Sequence, residues 1–139
     1  MRILFMFMEM PMAPLSVLLW IKILGTFFPV AAPLLVFPKA RIDALSGFSP
    51  SDVSLYRLYG MAVLALLVGY TGGYFQVVDG VFPIGVLAMG FVSNAGAFLV
   101  MLLTGRARKT PLSAAFFGFI AAGLAAAFIF EDAAMTPLW

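Results

Sequence analysis

The sequence predicts an all-α integral membrane protein, a four-helix bundle with both termini on the non-cytoplasmic side. Of its 139 residues, 64% are hydrophobic and only 10% are charged, whereas an average soluble domain has about 25% charged residues. Four apolar stretches fill most of the chain. Each is long enough to cross a hydrocarbon core of about 30 Å as a helix. We therefore treat residues 1–139 as a single transmembrane domain.

Helices are the expected spanning elements, because a lipid-exposed segment must satisfy its own backbone groups. The apolar stretches also lack the alternating pattern of a barrel strand. Tyrosines near the ends of the second stretch suit the interfacial aromatic belts of a membrane protein; these are Tyr56, Tyr59, Tyr70 and Tyr74. The predicted spans are residues 15–37, 53–76, 81–103 and 112–130.

The connections between the stretches carry helix start and stop signals. Ser49, Pro50 and Asp52 resemble a capping box that opens the second helix. Asp79-Gly80 is typical of a tight turn before the third helix. Thr110-Pro111 interrupts the chain before the fourth helix.

The orientation follows from the basic residues, because Lys and Arg near helix ends are retained on the cytoplasmic side. Arg2 and Lys22 lie on one side of the predicted bundle, and six basic residues lie on the other: Lys39, Arg41, Arg57, Arg106, Arg108 and Lys109. We interpret the cluster at 106–109 as a topology signal rather than an anionic-lipid site. The outer side then has an acidic rim of Glu9, Asp79, Glu131 and Asp132. The Ala, Gly and Arg usage and the short connections favour a bacterial cytoplasmic membrane.

The segment Met1–Pro14 has two interpretations. Pro11 and Pro14 interrupt a continuous helix into the first span, so the segment is either an interfacial helix or part of that span. In a second arrangement, a helix over residues 3–23 leaves residues 25–37 as a re-entrant piece. A cleaved signal peptide is not expected, because a cleavage region is lacking and the first span is too long.

Several site chemistries are excluded by composition. The chain has no Cys and no His, which removes thiolate and imidazole metal sites and a His general base. The alternating methionines Met6, Met8, Met10 and Met12 could bind Cu(I), but methionine is also an ordinary filler of apolar interfaces. We expect no resident metal or cofactor and no enzyme activity. The net charge of +2 is too small to indicate nucleic-acid binding.

Small residues predict where helices pack, because close backbone approach in lipid requires Gly, Ala or Ser. The predicted packing residues recur every four positions in the second and fourth helices: Gly69 and Gly73, then Ala114, Gly118, Ala122 and Ala126. They could be buried within one chain or between chains. Pro29 and Pro33 are expected to bend the first helix.

Polar side chains at membrane depth are candidate sites by default; here they are Lys22, Arg57, Ser93 and Asn94. The Lys22 ammonium is expected either to pair with an outer carboxylate, of Asp79, Glu131 or Glu9, or to extend to the outer headgroups. Asn94 is expected to find a hydrogen-bond partner on a neighbouring helix. Arg57 is expected to extend to the inner headgroups.

Two patches carry a family resemblance: Leu19-Trp20-Ile21-Lys22-Ile23-Leu24-Gly25, with a lysine inside the first helix, and Leu55-Tyr56-Arg57-Leu58-Tyr59-Gly60 at the start of the second. Together with the length and helix count, they make the chain resemble the small four-helix membrane proteins of the DoxX-like group. The resemblance implies a compact four-helix membrane fold. It implies no catalytic residues.

The sequence leaves two functional hypotheses. The first is a non-catalytic membrane protein, either an accessory subunit of a membrane complex or a structural homo-oligomer, with membrane lipids and other chains or its own copies as partners. The second is a small oligomeric transporter or channel for an ion or small solute. The polar residues of the spans would line its path.

Overall fold

The structure, a computed structural model, describes residues 12–139. Over these residues the chain is helical and contains no β-strand. Four helices are long and apolar enough to cross a membrane: the first span Pro14–Val36, the second span Ser54–Val78, the third span Ile84–Leu103 and the fourth span Pro111–Ile129. The prediction of an all-α protein with four membrane-length helices is thus confirmed.

Three short helices lie outside the spans in the described part of the chain. Lys39–Ser46 belongs to the first connection, Arg106–Lys109 to the third, and Glu131–Met135 follows the fourth span. The second connection is a tight turn in which Gly80 has a φ of 74°, a left-handed conformation that glycine adopts without a Cβ clash. Short connections of this kind place consecutive spans antiparallel.

The second span does not begin with the expected capping box. Its N-cap residue is Val53, which makes no side-chain capping bond. Instead, the Asp52 carboxylate accepts hydrogen bonds from the backbone N–H and the hydroxyl of Ser54, both at 2.8 Å. These bonds lower the pKa of Asp52, the backbone bond contributing most. The prediction for Ser49 and Pro50 was wrong because the helix begins at Ser54, after the predicted cap.

The first span changes its helical winding at the prolines. It is α-helical over Pro14–Thr26, π-helical over Phe27–Ala31 and α-helical again over Ala32–Val36. Pro29 lies inside the π-helical segment, and the Ala32 N–H donates to the Phe27 carbonyl, five residues back. Proline lacks an N–H and its ring crowds the carbonyl four residues earlier, so a wider turn relieves the conflict. The proline-dependent irregularity is therefore a π-helical segment.

The spans associate most closely as two pairs, the first with the second and the third with the fourth. The pairs meet around a core of fully buried side chains: Leu19, Tyr70, Leu87, Ile120 and Leu124. Gly73 is needed where the second and third spans cross, because a Cβ there would lie 2.8 Å from Val86. The first and last parts of the described residues meet at one end of the bundle, where the Leu138 N–H donates to the Met12 carbonyl at 2.8 Å.

The predicted packing residues of the fourth span are only partly buried. Ala114 is buried and Gly118 lies against Phe98, but Ala122 and Ala126 are exposed. A strict four-residue repeat turns by about 40° at each step around an α-helix, so its later members leave the original face. The prediction of a continuous buried face was wrong for the single chain. The buried residues are Ala114, Ile120, Ala121, Leu124 and Ala127.

Two arginines hold the opposite end of the bundle together. The Arg57 guanidinium donates to the carbonyls of Leu34 at 2.5 Å and Phe37 at 2.7 Å, which lie at the C-terminus of the first span. Arg106 donates to the Ser46 carbonyl, and its guanidinium lies 4.1 Å from the centre of the Phe48 ring. Arg57 therefore caps a helix end rather than extending to the headgroups, because unpaired carbonyls at a helix C-terminus attract a nearby cation.

A polar cluster forms around Asp43 in the helix Lys39–Ser46. Its carboxylate accepts hydrogen bonds from Lys39 at 2.7 Å, Tyr56 at 2.7 Å and Ser49 at 3.3 Å. The bond from Lys39 and then that from Tyr56 hold the pKa of Asp43 below its usual value. The cluster fixes the first connection against the start of the second span.

Arg57→Met should weaken the contact between the first two spans. Arg57 makes two hydrogen bonds, and bonds to a charged group contribute roughly 1.5–3 kcal/mol each, so we expect a loss of at least about 3 kcal/mol in the free energy of unfolding. Steric-trapping measurements in bicelles would test this. Arg41→Met is the matched control, because the Arg41 guanidinium lies over the Phe37 ring at 4.1 Å and makes no hydrogen bond within residues 12–139. An equal loss in both variants would contradict the capping role.

Candidate functional site: a buried amine beside a cavity

Lys22 is the centre of the site. It lies eight residues after Pro14, the first residue of its span, which is roughly 12 Å along the helix. Its side chain is only 5% exposed. The Nζ atom donates a hydrogen bond of 2.8 Å to Oδ1 of Asn94, a residue of the third span. Lys22 therefore points into the bundle.

Asn94 uses both ends of its amide. While Oδ1 accepts from Lys22, Nδ2 donates to the Tyr70 hydroxyl at 2.9 Å and to the Gly90 carbonyl at 2.7 Å. The side chain is fully buried. A Cβ at Gly90 would lie 2.7 Å from the Tyr70 hydroxyl, so the glycine leaves the space that this hydroxyl occupies. The expected partner of Asn94 on a neighbouring helix is present in the second span and again in the first.

Aromatic rings surround the rest of the ammonium. Nζ of Lys22 lies 5.1 Å from the ring centre of Phe117, 5.4 Å from that of Phe116 and 5.9 Å from that of Tyr70. The negative faces of aromatic rings attract a cation at such distances. Because the two phenylalanines belong to the fourth span, all four spans contribute to the surroundings of this one side chain.

No carboxylate neutralises Lys22 among residues 12–139, where the single ion pair joins Lys39 to Asp43 at 2.7 Å. Asp79 and Glu131 are exposed at the end of the bundle. The expectations that Lys22 pairs with Asp79 or Glu131, or extends to the outer headgroups, were therefore wrong. Asn94 accepts the hydrogen bond from Lys22 instead, at membrane depth. Glu9, the third expected partner, lies outside the described residues.

A cavity of about 170 Å³ adjoins Lys22 between the spans. The polar residues of its lining belong to the first, second and third spans, and Phe117 of the fourth span forms one side. Its other lining residues are mostly aliphatic. The polar lining residues are Lys22, Thr26, Tyr59, Tyr70 and Ser93, and the apolar ones are Val30, Ala62, Val63, Leu66, Leu67, Ala97 and Phe117.

Thr26 brings an unpaired hydroxyl to this cavity. The side chain is 6% exposed, and its Oγ1 has no hydrogen-bond partner in the part of the chain that the structure describes. The other threonines of the chain all donate to the carbonyl four residues earlier: Thr71 to Leu67, Thr104 to Val100, Thr110 to Arg106 and Thr136 to Asp132. Buried polar groups are normally satisfied. Thr26, a lining residue of the cavity, is thus an exception to this rule among residues 12–139.

The structure brings together only some of the residues expected at the site. Lys22, Asn94 and Ser93 lie in one layer of the bundle, whereas Arg57 caps the first span and the acidic residues Asp79, Glu131 and Asp132 are exposed at the far end. Within residues 12–139, no three acidic side chains lie close enough together to hold a metal ion. Of the methionines considered as copper ligands, Met6, Met8 and Met10 lie outside the described residues.

Sequence reasoning missed Thr26 and Tyr70. Tyr70 was assigned to an interfacial belt, yet it is fully buried and bonds Asn94. Thr26 had a usable signal, because it follows Lys22 by four residues and shares its helix face. Tyr70 had none, since its role depends on which helix lies opposite.

Comparisons of the chain with protein-family models, with curated proteins and with solved structures found no match.

Thr26→Val should stabilise the protein in the absence of any bound ligand. The change keeps the shape of the side chain and removes a buried hydroxyl that has no partner, and such groups cost about 1–3 kcal/mol. We expect the free energy of unfolding to rise by roughly 1 kcal/mol, measured by steric trapping in bicelles. Thr71→Val is the control, because its hydroxyl is already bonded. A destabilised Thr26→Val variant would show that this hydroxyl has a partner.

Proposed function

We propose that the protein is a non-catalytic integral membrane protein that works through its helix surfaces, as an accessory subunit of a membrane complex or as a structural homo-oligomer. The observation that carries this proposal is a pair of exposed glycines on the outside of the third span. Gly85 and Gly96 are exposed, and a Cβ at either position would meet no atom within 4 Å. Within residues 12–139, neither glycine serves a close contact.

The geometry of an α-helix aligns these glycines. Gly85, Val92 and Gly96 fall within about 20° of one direction around the axis, and Val92 is 72% exposed. Glycine weakens a helix relative to alanine, whereas in lipid it allows a second helix to approach closely. A partner helix against this face would account for both residues. Ala122 and Ala126 are exposed on the fourth span and are further small residues against which a partner helix could pack.

A small oligomeric transporter or channel is the second candidate, and the cavity beside Lys22 favours it. That cavity has a volume of about 170 Å³, which is too small for a water-filled path across about 30 Å of hydrocarbon. Transport would therefore need further space from neighbouring copies. Lys22, Asn94 and Ser93 would line such a path, and Arg57 would lie near one mouth.

We also propose that both termini lie on the outer side of a bacterial cytoplasmic membrane. Five of the six clustered basic residues lie in the first and third connections, and the sixth, Arg57, is in the first turn of the second span. Arg106 links those two connections at one end of the bundle. The resemblance to the DoxX-like group is consistent with this compact architecture. Membrane lipids and other membrane chains, or copies of this one, are the proposed partners.

The assembly can be tested by native mass spectrometry of the protein extracted from its own membrane in nanodiscs. We expect stoichiometric foreign chains or a defined homo-oligomer, and loss of that assembly in Gly85→Leu/Gly96→Leu, because the new side chains block close helix approach. Gly72→Leu is the matched control, an exposed glycine of the second span that is also open at its Cβ position. A monomer in the wild type would overturn the proposal.

The orientation can be tested with single cysteines, because the chain has none of its own. We expect a membrane-impermeant maleimide to label Asp132→Cys in intact cells and to label Lys109→Cys only after lysis. The reversed pattern would place both termini in the cytoplasm.

A further inference from the structure

We infer that the cavity beside Lys22 is a binding site for a small monocarboxylate with a short apolar body. The inference does not depend on the proposed assembly. It rests on the hydrogen-bond donors that converge on the cavity, on the absence of acceptor charge in its lining, and on the apolar character of the remaining wall.

Lys22 supplies the charge. An ammonium group has three donors, and one of them is used by Asn94. Asn94 spends both hydrogens of its amide on Tyr70 and Gly90, so it is fixed with its oxygen toward Lys22. This arrangement holds the ammonium in one position, with donors to spare, at the wall of the cavity.

Thr26 supplies a second donor from the same helix. It lies one turn after Lys22, and Val30 follows after another turn, so all three line the cavity. The hydroxyl of Thr26 has no partner among residues 12–139, whereas every other threonine hydroxyl donates to a backbone carbonyl. A carboxylate has two acceptor oxygens, which suits one ammonium and one nearby hydroxyl.

The lining selects the charge and shape of the ligand. Among residues 12–139, no acidic side chain lines the cavity, and Lys22 is the one cationic lining residue. A cation would be repelled, and a dianion would lack a second positive partner. The aliphatic wall, which includes Val63, Leu66 and Leu67, favours a hydrocarbon body because its burial removes apolar surface from water. The volume of about 170 Å³ restricts that body to a short chain.

The π-helical segment of the first span forms part of the cavity wall. Thr26 immediately precedes Phe27–Ala31, and Val30 lies within it. Such segments are frequent at functional sites. The π-helical winding around Pro29 therefore lies at the wall of the cavity.

The inference can be tested by NMR with ¹³C-carboxyl-labelled hexanoate and the full chain in nanodiscs. Binding should be saturable after the signal from empty nanodiscs is subtracted. We expect bound hexanoate to show a shifted carboxyl resonance. Hexylammonium, hexanol and chloride at equal concentration should not displace it. Dodecanoate should bind more weakly at the site, because its chain exceeds the cavity. Displacement by chloride or by dodecanoate as effective as by hexanoate would overturn the short-monocarboxylate assignment.

Matched variants identify the site. Thr26→Val should raise the Kd for hexanoate at least about tenfold, the effect expected for losing one hydrogen bond to a charged group. Thr71→Val should leave the Kd unchanged, and Lys22→Met should abolish saturable binding. Equal affinity in Thr26→Val and wild type, or no saturable binding in wild type, would overturn the inference. The oligomeric state measured in the same nanodiscs reports separately on the proposed assembly.

Discussion

The hydrogen bond between Lys22 and Asn94 connects the two halves of the bundle. The first and second spans form one close pair and the third and fourth form another; this bond of 2.8 Å joins a residue of each pair. Lipid tails are as apolar as the helices, so hydrophobicity alone does not choose how membrane helices meet. A polar pair at membrane depth fixes how the helices meet, because either partner would be left without a hydrogen bond in hydrocarbon if the pair separated. Tyr70 extends the same layer into the second span.

Much of the architecture was predictable, because span length and the position of basic residues are local properties of the sequence. Lys22 and Asn94 were each identifiable as polar residues inside apolar stretches, but their pairing was not. They are 72 residues apart, and the length of the lysine side chain lets it meet a residue deeper in the membrane. The assignment of Tyr70 to an interfacial belt was wrong, and Ala122 and Ala126 are not buried within the single chain, for a related reason. Which face of a helix is buried depends on where the other helices lie.

The two ends of the bundle are held by different interactions. At one end, Arg57 and Arg106 donate to backbone carbonyls of the first span and first connection, so basic residues expected to report topology also serve as helix caps. At the other end, a backbone bond joins Leu138 to Met12, and the acidic residues Asp79 and Glu131 are exposed. Arg57 and Arg106 are therefore integrated into the fold at one end, whereas these two acidic side chains remain at the surface of the other.

The middle layer contains features that stability alone does not explain. A buried ammonium without a carboxylate among residues 12–139 and a buried hydroxyl without a partner both cost free energy. Apolar residues of similar shape would avoid both costs. Ser16 has a second buried hydroxyl without a partner among residues 12–139, but it does not line this cavity. Lys22 and Thr26 are one turn apart and line the same cavity. A ligand that accepts hydrogen bonds from both would offset the two costs together, so their coincidence is better explained by binding than by packing.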